Sequence, residues 1–494
     1  MTRDIQQGDQ NQLTIVVIGA SGDLAQKKIF PALFSLYSQD FLPARFQVFG
    51  LARTPYTHAE FRDKLTEHLT CRYVPGERCA DYMSRFLSRC FYQPGQYESA
   101  GSFLDLYQAM TEVEGGAGAN RLYYLAIPPS VFLATARSIG DAALVSCGTS
   151  RWWSRVVIEK PFGRDRQSSD QLAQGLADVF AEAQTFRIDH YLGKEVIQNL
   201  MVLRFMNAIF EPIWNRAYME SVQIDWKEDV GVLDRGRYFD GYGIIRDVMQ
   251  NHLLQILALL AMEEPASMDA RAVGDEKVKV LRAVRPPGPS DMVVGQYGAG
   301  TIGGVPQPAY RQERAVPPDS RTPTYGAAVL RVNNERWRGV PFLITAGKAL
   351  GARETLIRIR FRQREGSVAS AAGPSLPANE FVIRVQPDEA IYYTITNKVP
   401  GLAFRTAETK LDLRYQDVFT EPIPDAYERL LLDVIAGEHS LFIRSDELAA
   451  AWEVFTPVLR DMEQRHVEPE IYAAGGPGPV QVHQLALRNG FRAR

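Results

Sequence analysis

Nearly continuous apolar runs mark the first third of the chain, and each of them ends in a polar, proline or glycine segment. They occupy residues 13–18, 46–51, 121–127 and 155–158. Strands that are buried on both faces of a parallel sheet have this character. Helical spacing follows the first run, and residues 58–120 read as mixed helix and loop. We therefore predict an α/β domain that covers residues 12–186.

Alternation of apolar and polar residues replaces these runs further along the chain. Met219–Trp226 alternates in this way, as expected of a half-buried antiparallel strand. Helices are predicted at 194–206 and 243–262, and a surface excursion at 286–319. Further strands are expected at residues 327–332, 342–345, 355–361, 381–385 and 391–395. The pattern predicts a larger α+β domain at 187–494 with a mainly antiparallel sheet.

Composition narrows the classes of function. Of the 494 residues, 46% are hydrophobic and 23% charged, which is ordinary for a soluble globular protein. The net charge of -3 argues against partners recognised by bulk charge, such as nucleic acid or a membrane surface. Residues 1–10 lack an apolar leader, and no stretch is long enough to span a membrane. Four cysteines, Cys147 among them, are too few for a disulfide framework, so a reducing, cytoplasmic location is expected.

A glycine turn, Gly19-Ala20-Ser21-Gly22, joins the first predicted strand to a helix. Such a turn lets backbone N–H groups approach a pyrophosphate at a helix N-terminus. The alternative is a plain tight turn, because glycines are common there. Arg53 follows the second strand, where an NAD site usually places an acid. An arginine there can bind a 2′-phosphate through two hydrogen bonds, which favours NADP. The alternative is an ordinary surface arginine.

Nine residues, Arg187 to Glu195 (RIDHYLGKE), crowd charges of both signs at a strand-to-helix junction. Buried charges are costly unless they are paired. The segment therefore suits an anionic ligand held by His190 and Lys194, with Asp189 kept for proton chemistry. A solvated helix start is the alternative interpretation.

Two further residues could contribute to chemistry. Lys160 lies at the carboxyl end of a predicted strand, within Glu159-Lys160-Pro161, where ligands bind in open α/β sheets. His252 falls on the inner face of a predicted helix, a position more often filled by a hydrogen-bonded core histidine than by a catalyst. Histidines and cysteines are nowhere grouped with metal-ligand spacing, so no metal is expected.

These motifs together resemble one family. RIDHYLGKE, the glycine turn, Arg53, Glu-Lys-Pro, His252 and Lys348 occur in the order found in glucose-6-phosphate dehydrogenases, from about residue 13 to about residue 490. The resemblance implies a Rossmann-type dinucleotide domain followed by a β+α domain whose sheet forms a dimer surface. It implies oxidation of D-glucose 6-phosphate at C1 to 6-phospho-D-glucono-1,5-lactone with NADP, the first step of the oxidative pentose phosphate pathway. NAD is expected as a poorer cofactor, and the protein as a homodimer or homotetramer.

The resemblance also assigns roles. His252 is implied as the general base and Asp189 as the residue that orients it, and the peptide before Pro161 as cis. The substrate residues implied are His190, Tyr191 and Lys194 for the phosphate, and Lys160, Glu228, Asp247, Lys348, Arg353 and Gln386 for the sugar. The cofactor residues implied are Gly19, Ser21, Gly22, Asp23, Arg53, Tyr124 and Lys160.

A second, structural NADP is bound by animal members of the family. Arg358 and Arg384 resemble part of that site, but Glu354 stands where those enzymes carry a lysine. A carboxylate that faces a phosphate is unfavourable. We therefore predict no structural NADP.

Cys71 and Cys79 resemble in their spacing the redox pair of plastid-type members, which thioredoxin reduces. Two unpaired thiols are the expectation here, because no transit peptide is visible. A regulatory disulfide, with a mature protein in the plastid stroma, is the alternative.

Two other functions stay open. The chain could be another sugar oxidoreductase of the wider Glu-Lys-Pro group, whose members lack RIDHYLGKE. It could also be a weakly active partner subunit with the same fold, although all the implied catalytic residues are present.

Overall fold

A computed structural model describes residues 12–116, 118–142, 151–363 and 377–491. Cys147 and the polar first ten residues lie outside these ranges. Within them, no helix combines the length and the apolar composition that crossing a membrane requires.

Six parallel strands form the first sheet, in the order β3-β2-β1-β4-β5-β6. Their bounds are β1 (Leu13–Ile18), β2 (Phe46–Ala52), β3 (Cys90–Pro94), β4 (Asn120–Leu125), β5 (Ser154–Glu159) and β6 (Thr185–Ile188). All residues of β1 and β2 are buried, as their nearly continuous apolar runs predict. The predicted parallel sheet is confirmed.

Strand β3 corrects the prediction of only helix and loop at 58–120. It is short and lies at the edge of the sheet, where buried and half-buried residues alternate. An edge strand has one sheet neighbour, so its sequence lacks the continuous apolar run that revealed the central strands.

Six α-helices accompany this sheet in the part of the chain that the structure describes. They are α1 (Phe30–Ser38), α2 (His58–Thr66), α3 (Gly76–Ser88), α4 (Ala100–Glu114), α5 (Phe132–Asp141) and α6 (Arg166–Ala177). A π-helical segment, Ala25–Ile29, runs directly into α1. The glycine turn therefore leads from β1 into a continuous helical segment, as the sequence predicts.

The second sheet is larger and mainly antiparallel, with the order β17-β16-β15-β14-β7-β13-β12-β9-β18 and β8 beside β12. Only the β7–β13 and β9–β18 pairs are parallel among its described strands. Its strands are β7 (Met219–Lys227), β8 (Val284–Arg285), β9 (Met292–Gly298), β12 (Tyr325–Val332), β13 (Pro341–Gly347), β14 (Glu354–Phe361), β15 (Glu380–Gln386), β16 (Ala390–Lys398), β17 (Thr406–Arg414) and β18 (Glu470–Ala473). This confirms the predicted α+β half.

The predicted surface excursion at 286–319 is wrong in part. It contains β9, which pairs with β12, and a small hairpin of β10 (Gly300–Ile302) and β11 (Val305–Gln307). Gln296 and Tyr297 are buried in β9. The Gln296 amide donates to the Ser320 and Thr322 carbonyls, so a polar residue is satisfied inside the core. Flanking prolines and glycines concealed this strand.

The helices of this half are α7 (Glu195–Met206), α8 (Gly236–Asp240), α9 (Leu254–Ala261), α10 (Ala270–Ala283), α11 (Tyr415–Val418), α12 (Ala426–Ala436), α13 (Ser445–Gln464) and α14 (Gln481–Arg488). The helix predicted at 243–262 is present, but its first part, Ile245–Leu253, is π-helical and continues into α9. A π-helical turn changes which residues share a face, and such turns are frequent at functional sites.

Helix α12 joins the two halves. The Arg155 guanidinium on β5 donates to the carbonyls of Val434 and Ile435 near the end of α12, at 2.6 and 2.7 Å. At the other end of the helix, a Cβ on Gly193 would lie only 2.7 Å from the Ala426 carbonyl oxygen. Glycine is therefore needed where the RIDHYLGKE segment meets α12. The boundary at residue 186 falls inside β6 and stays a prediction.

Candidate active site

A cavity of about 940 Å³ lies where the carboxyl ends of β5 and β6 face β7, β13 and the π-helical segment Ile245–Leu253. Ten of the predicted catalytic and substrate residues line it. They are Lys160, His190, Tyr191, Lys194, Glu228, Asp247, His252, Lys348, Arg353 and Gln386. Residues from six separate elements and loops therefore meet in one place.

His252 and Asp189 form a buried pair at this cavity. Their Nδ1 and Oδ1 atoms are 2.5 Å apart, and the side chains are 2% and 1% exposed. The carboxylate can only accept, so Nδ1–H of His252 donates to it. This tautomer leaves Nε2 with a free lone pair. Asp189 Oδ1 also accepts from the Tyr191 backbone N–H at 3.0 Å, which fixes the carboxylate.

The protonation states suit a base. Burial alone would raise the pKa of Asp189, but the charge of His252 and its hydrogen bond outweigh that effect and lower this pKa to about 2. Burial lowers the pKa of His252, and the charge of Asp189 offsets part of that shift. At neutral pH the pair is therefore a carboxylate beside a neutral imidazole, which can accept a proton.

His190 lies next to this pair. Its ring centroid is 4.7 Å from that of His252. Burial, followed by repulsion from His252, lowers the pKa of His190 well below 6.5. His190 is thus neutral near pH 7 and can offer a ring N–H to an anionic ligand.

Tyr191 is packed between His252 and Lys194. Its ring stacks on His252 with centroids 4.5 Å apart, and its hydroxyl accepts a hydrogen bond from the Trp226 indole. Lys194 Nζ lies 5.3 Å from the Tyr191 ring centroid and donates to Gln386 Oε1 at 3.2 Å. Burial lowers the pKa of Lys194. The ammonium is held at the cavity by neutral groups, which leaves its charge available to an anion.

Two ion pairs face the cavity from opposite sides. Lys160 Nζ donates to the Asp247 carbonyl oxygen at 2.6 Å and to its carboxylate at 3.1 Å. Lys348 pairs with Glu228. Burial would raise the pKa of Asp247, but Lys160 and then Lys348 lower it well below its usual value. The Asp247 carboxylate therefore stays ionised and can accept hydrogen bonds from hydroxyl groups.

The peptide between Lys160 and Pro161 is cis, as the resemblance implies. Arg353 lines the cavity but is exposed. Asp189, in contrast, stands behind His252 and contributes no surface to the cavity.

The predicted cofactor residues other than Lys160 lie outside this cavity, at the carboxyl edge of the first sheet. Gly19 has φ +90°, and a Cβ there would lie 2.2 Å from the Ala126 carbonyl oxygen. The Gly22 N–H closes the turn onto the Gly19 carbonyl at 2.9 Å. Ser21 accepts a hydrogen bond from Thr54, which ties the turn to the segment after β2.

The charged and aromatic cofactor residues differ in exposure. Asp23 pairs with Lys27 on the surface, and Arg53 is exposed with its guanidinium 5.3 Å from the Tyr97 ring centroid. Tyr124 is fully buried, and its hydroxyl donates to Glu159. Any influence of the Tyr124 hydroxyl on a nucleotide is therefore indirect.

Several residues at the cavity were not predicted as site residues. Lys28, Arg72, Trp226, Asp425 and Tyr427 line it. Lys28 and Asp425 form an ion pair at 3.0 Å although 397 positions separate them. No sequence pattern connects such positions, but Trp226, directly before Lys227-Glu228 at the end of β7, could have been found from its place in the strand.

Cys71 and Cys79 are joined by a disulfide bond, with Cα atoms 5.7 Å apart. The expectation of two unpaired thiols is therefore wrong. Pro75 turns the chain and Gly76 begins α3, which brings the second cysteine back to the first. Arg72, inside the loop, donates to the Ile423 carbonyl at 2.6 Å, and Tyr73 donates to Glu428 at 3.0 Å.

Among the described residues, one cluster contains three side chains of the types that bind metal ions. Ligand atoms of Asp189, His190 and His252 all lie within 4.8 Å of one another. Asp189 Oδ1 and His252 Nδ1 are hydrogen-bonded to each other. The absence of a metal stays a prediction.

Comparisons with known proteins cover nearly the whole chain. Residues 16–199 match the family model "Glucose-6-phosphate dehydrogenase, NAD binding domain", and residues 201–494 match its C-terminal domain. A chloroplastic glucose-6-phosphate 1-dehydrogenase of Arabidopsis thaliana is 52% identical over 98% of this chain and 84% of its own length. The enzyme of that name from Dictyostelium discoideum is 45% identical over 97% of this chain and 94% of its own length.

A solved structure is similar as well. It is described as glucose-6-phosphate dehydrogenase in complex with its substrate glucose-6-phosphate, and it is 40% identical with a TM-score of 0.90. The match covers 98% of this chain and 99% of that one.

Proposed function

Because the chain belongs to the glucose-6-phosphate dehydrogenase family, we propose that it oxidises D-glucose 6-phosphate at C1 to 6-phospho-D-glucono-1,5-lactone, with hydride transfer to NADP. This is the first step of the oxidative pentose phosphate pathway. The observation that carries the proposal is the buried Asp189–His252 pair beside the charged cavity, within a chain 52% identical to an enzyme of this name.

The proton step belongs to His252. Its Nε2 takes the proton of the C1 hydroxyl while the hydride leaves C1, and NADP, when bound, accepts that hydride. Asp189 keeps the ring in the tautomer with Nε2 free and stabilises the imidazolium once the proton has arrived. Asp189 is thus a positioning and electrostatic group rather than the proton acceptor.

The phosphate is held on the RIDHYLGKE side of the cavity. Lys194 provides positive charge, while His190 and Tyr191 provide hydrogen-bonding groups. Gln386 positions Lys194 through its side-chain oxygen. A dianion that displaces water there gains charge-assisted hydrogen bonds, which explains a preference for the phosphorylated sugar.

The sugar ring is held by the ion-paired groups. Asp247 and Glu228 accept hydrogen bonds from its hydroxyls, and Lys160 and Lys348 donate to its oxygens, with Arg353 at the exposed rim. In the free protein these groups partner one another, so the cavity stays electrically balanced before the substrate arrives.

The turn after β1 fits a dinucleotide. Gly19 and Gly22 carry no side chain, and Gly19 lets the turn pack closely on the Ala126 backbone. A glycine turn of this kind between a strand and a helix favours the approach of a pyrophosphate to backbone N–H groups. Ser21 lies in the turn and Asp23 directly follows it. Arg53 is exposed, so its guanidinium can bind a 2′-phosphate through two hydrogen bonds, which favours NADP over NAD.

The experiment that tests this function is an initial-rate panel. Glucose 6-phosphate with NADP is expected to be fast, with unphosphorylated glucose or NAD much slower. Equal use of plain glucose would favour another sugar oxidoreductase of the Glu-Lys-Pro group. If the protein is folded and binds NADP but shows no turnover, the result would favour the role of a partner subunit.

Redox control at Cys71–Cys79 is a second element of the proposal. The disulfide loop contacts the 421–428 segment at the cavity mouth through Arg72 and Tyr73. Relatives named as chloroplastic support a stromal location over the cytoplasmic one that the sequence predicted. Thioredoxin is proposed as the reductant because the spacing of Cys71 and Cys79 resembles that of the redox pair in plastid-type members. Reduction should change the rate of the wild type and leave that of Cys71→Ser unchanged.

Two expectations concern the second sheet. A homodimer or homotetramer is proposed from the family resemblance, and no structural NADP is proposed for this chain. Glu354 is paired with Lys227 at 3.3 Å, and Arg358 lies between Asp225 and Glu380. These carboxylates would meet the phosphates of a second nucleotide, which would be unfavourable.

A further inference from the structure

Glu159 is the last residue of β5 and directly precedes Lys160. Its carboxylate is 8% exposed and lies behind the cavity wall, to which it contributes no surface. The Tyr124 hydroxyl on β4 donates to Glu159 Oε1 at 2.5 Å. The Tyr427 hydroxyl on α12 is the second phenol that faces this carboxylate. One buried carboxylate thus bridges two strands of the first sheet and lies beside the start of α12.

Both phenols are themselves fixed. Tyr124 is fully buried and Tyr427 is 7% exposed. The Tyr427 ring is parallel to that of His190, with an interplanar angle of 12° and centroids 6.1 Å apart. Tyr427 also lines the cavity, two residues after Asp425, the N-cap of α12. A change at Glu159 therefore reaches the wall of the cavity without any direct contact with the substrate.

We propose that Glu159 is a positioning residue for the reaction: its ionised carboxylate accepts hydrogen bonds from Tyr124 and Tyr427 at once, and so holds Lys160 and the first turn of α12 against the bound sugar phosphate. This role rests on the proposed dehydrogenase function. It differs from that of Asp189, which acts on the base itself.

The ionised form is the one that can hold both phenols. A carboxylate accepts through both oxygens, whereas a protonated carboxyl uses one oxygen as a donor and leaves one phenol with a poorer partner. Burial raises the pKa of Glu159 to about 7, although the phenols and Lys160 oppose that shift. The titratable or charged groups that face it are Tyr124, Tyr427, Lys160, Asp189 and Tyr238.

The pH dependence of turnover follows from these states. A group with a raised pKa binds its proton as the pH falls through about 7, and the positioning of α12 is lost with it. His252 must also be unprotonated to act as base, and its pKa lies lower. The acid limb of log kcat/KM for glucose 6-phosphate should therefore steepen from a slope of one toward two.

The test is Glu159→Gln, measured from pH 5 to 9. The amide oxygen can still accept from Tyr124, and the amide NH₂ can donate to the Tyr427 oxygen, so the fold is preserved. We expect kcat/KM to fall about tenfold at pH 8, because a neutral hydrogen bond replaces a charge-assisted one. We also expect the acid limb of the profile to depend on only one protonation, so that its slope returns to one.

Tyr427→Phe probes the same contact from the other side. Removing one donor from the carboxylate raises its pKa, so the acid limb should move to higher pH. Glu114→Gln is the matched control. Glu114 is also buried and hydrogen-bonded, to Thr14 and Arg121, but it contributes no surface to the cavity. Its pH profile should match that of the wild type.

An unchanged rate and profile in Glu159→Gln would overturn the proposal, as would an equal change in Glu114→Gln. If the wild type does not oxidise glucose 6-phosphate at all, the proposed function fails. Infrared difference spectra of protein labelled with ¹³C-carboxyl glutamate then test the protonation of Glu159 without any need for turnover. A carboxyl band that titrates near pH 7 and vanishes in Glu159→Gln supports the buried switch. The absence of such a band overturns it.

Discussion

In the cavity between the sheets, two lysines are paired with carboxylates before any ligand arrives, whereas beside the turn after β1 the exposed Arg53 forms no salt bridge with any of the described residues. Lys160 is bound to Asp247 and Lys348 to Glu228. In the turn, Gly19 fits because it has no side chain. The arrangement of the cavity thus depends on interactions between side chains, and that of the turn depends on the backbone conformation. Substitutions in the two regions should have different kinds of effect.

The largest effect is expected from Asp189→Asn. The amide can no longer stabilise the imidazolium and can favour the wrong tautomer of His252, so kcat should fall by roughly 10³- to 10⁴-fold. Loss of the carboxylate also removes the charge that raises the pKa of His252, so the acid limb should move to lower pH. Asp433→Asn, a buried acid paired with Arg429 on α12, is the control. A kcat within tenfold of the wild type would refute the role of Asp189.

A smaller effect, concentrated in binding, is expected from Lys194→Ala. Removing one charge-assisted partner of a phosphate costs about 1.5–3 kcal/mol, so the KM for glucose 6-phosphate should rise roughly 10- to 150-fold. The rate with saturating substrate should fall much less. Lys279→Ala, a lysine exposed on α10, should leave both parameters unchanged. A large fall in kcat with an unchanged KM would place Lys194 in the chemical step instead.

The expected effect in the turn region is narrower. Arg53→Ala should lower kcat/KM for NADP by roughly tenfold and leave that for NAD nearly unchanged, because only NADP carries the 2′-phosphate. Arg45→Ala, at the opposite end of β2, serves as the control. Equal losses with both cofactors would show that Arg53 supports the fold rather than selecting the nucleotide.

Each region could be predicted from the sequence where contiguous residues carried a recognisable pattern. Apolar runs located β1, β2, β4 and β5, and the glycine turn is a contiguous pattern with its own backbone requirement. Strand β3 was missed because an edge strand alternates in burial, and β9 because prolines and glycines surround it. Local patterns therefore predicted the buried sheet better than its borders.

The cavity depended on contacts between distant positions. Asp189 and His252 are 63 residues apart, and their pairing was implied by family resemblance alone. Lys28 with Asp425, and Glu159 with Tyr427, have no shared pattern at all. Periodicity reports the face on which a residue lies but not the residue that faces it. Such partners became visible only in the folded chain.

The central claim is that His252 removes the C1 proton within a preformed pair. The most direct measurement compares kcat and glucose 6-phosphate binding, by calorimetry, for the wild type, His252→Asn and His439→Asn. His439 is a half-buried histidine whose ring bonds to the Ala183 carbonyl. We predict that His252→Asn binds the sugar phosphate with affinity within a few-fold of wild type and loses at least about 10³-fold in kcat, while His439→Asn keeps both. Substantial turnover by a folded His252→Asn protein would contradict the account.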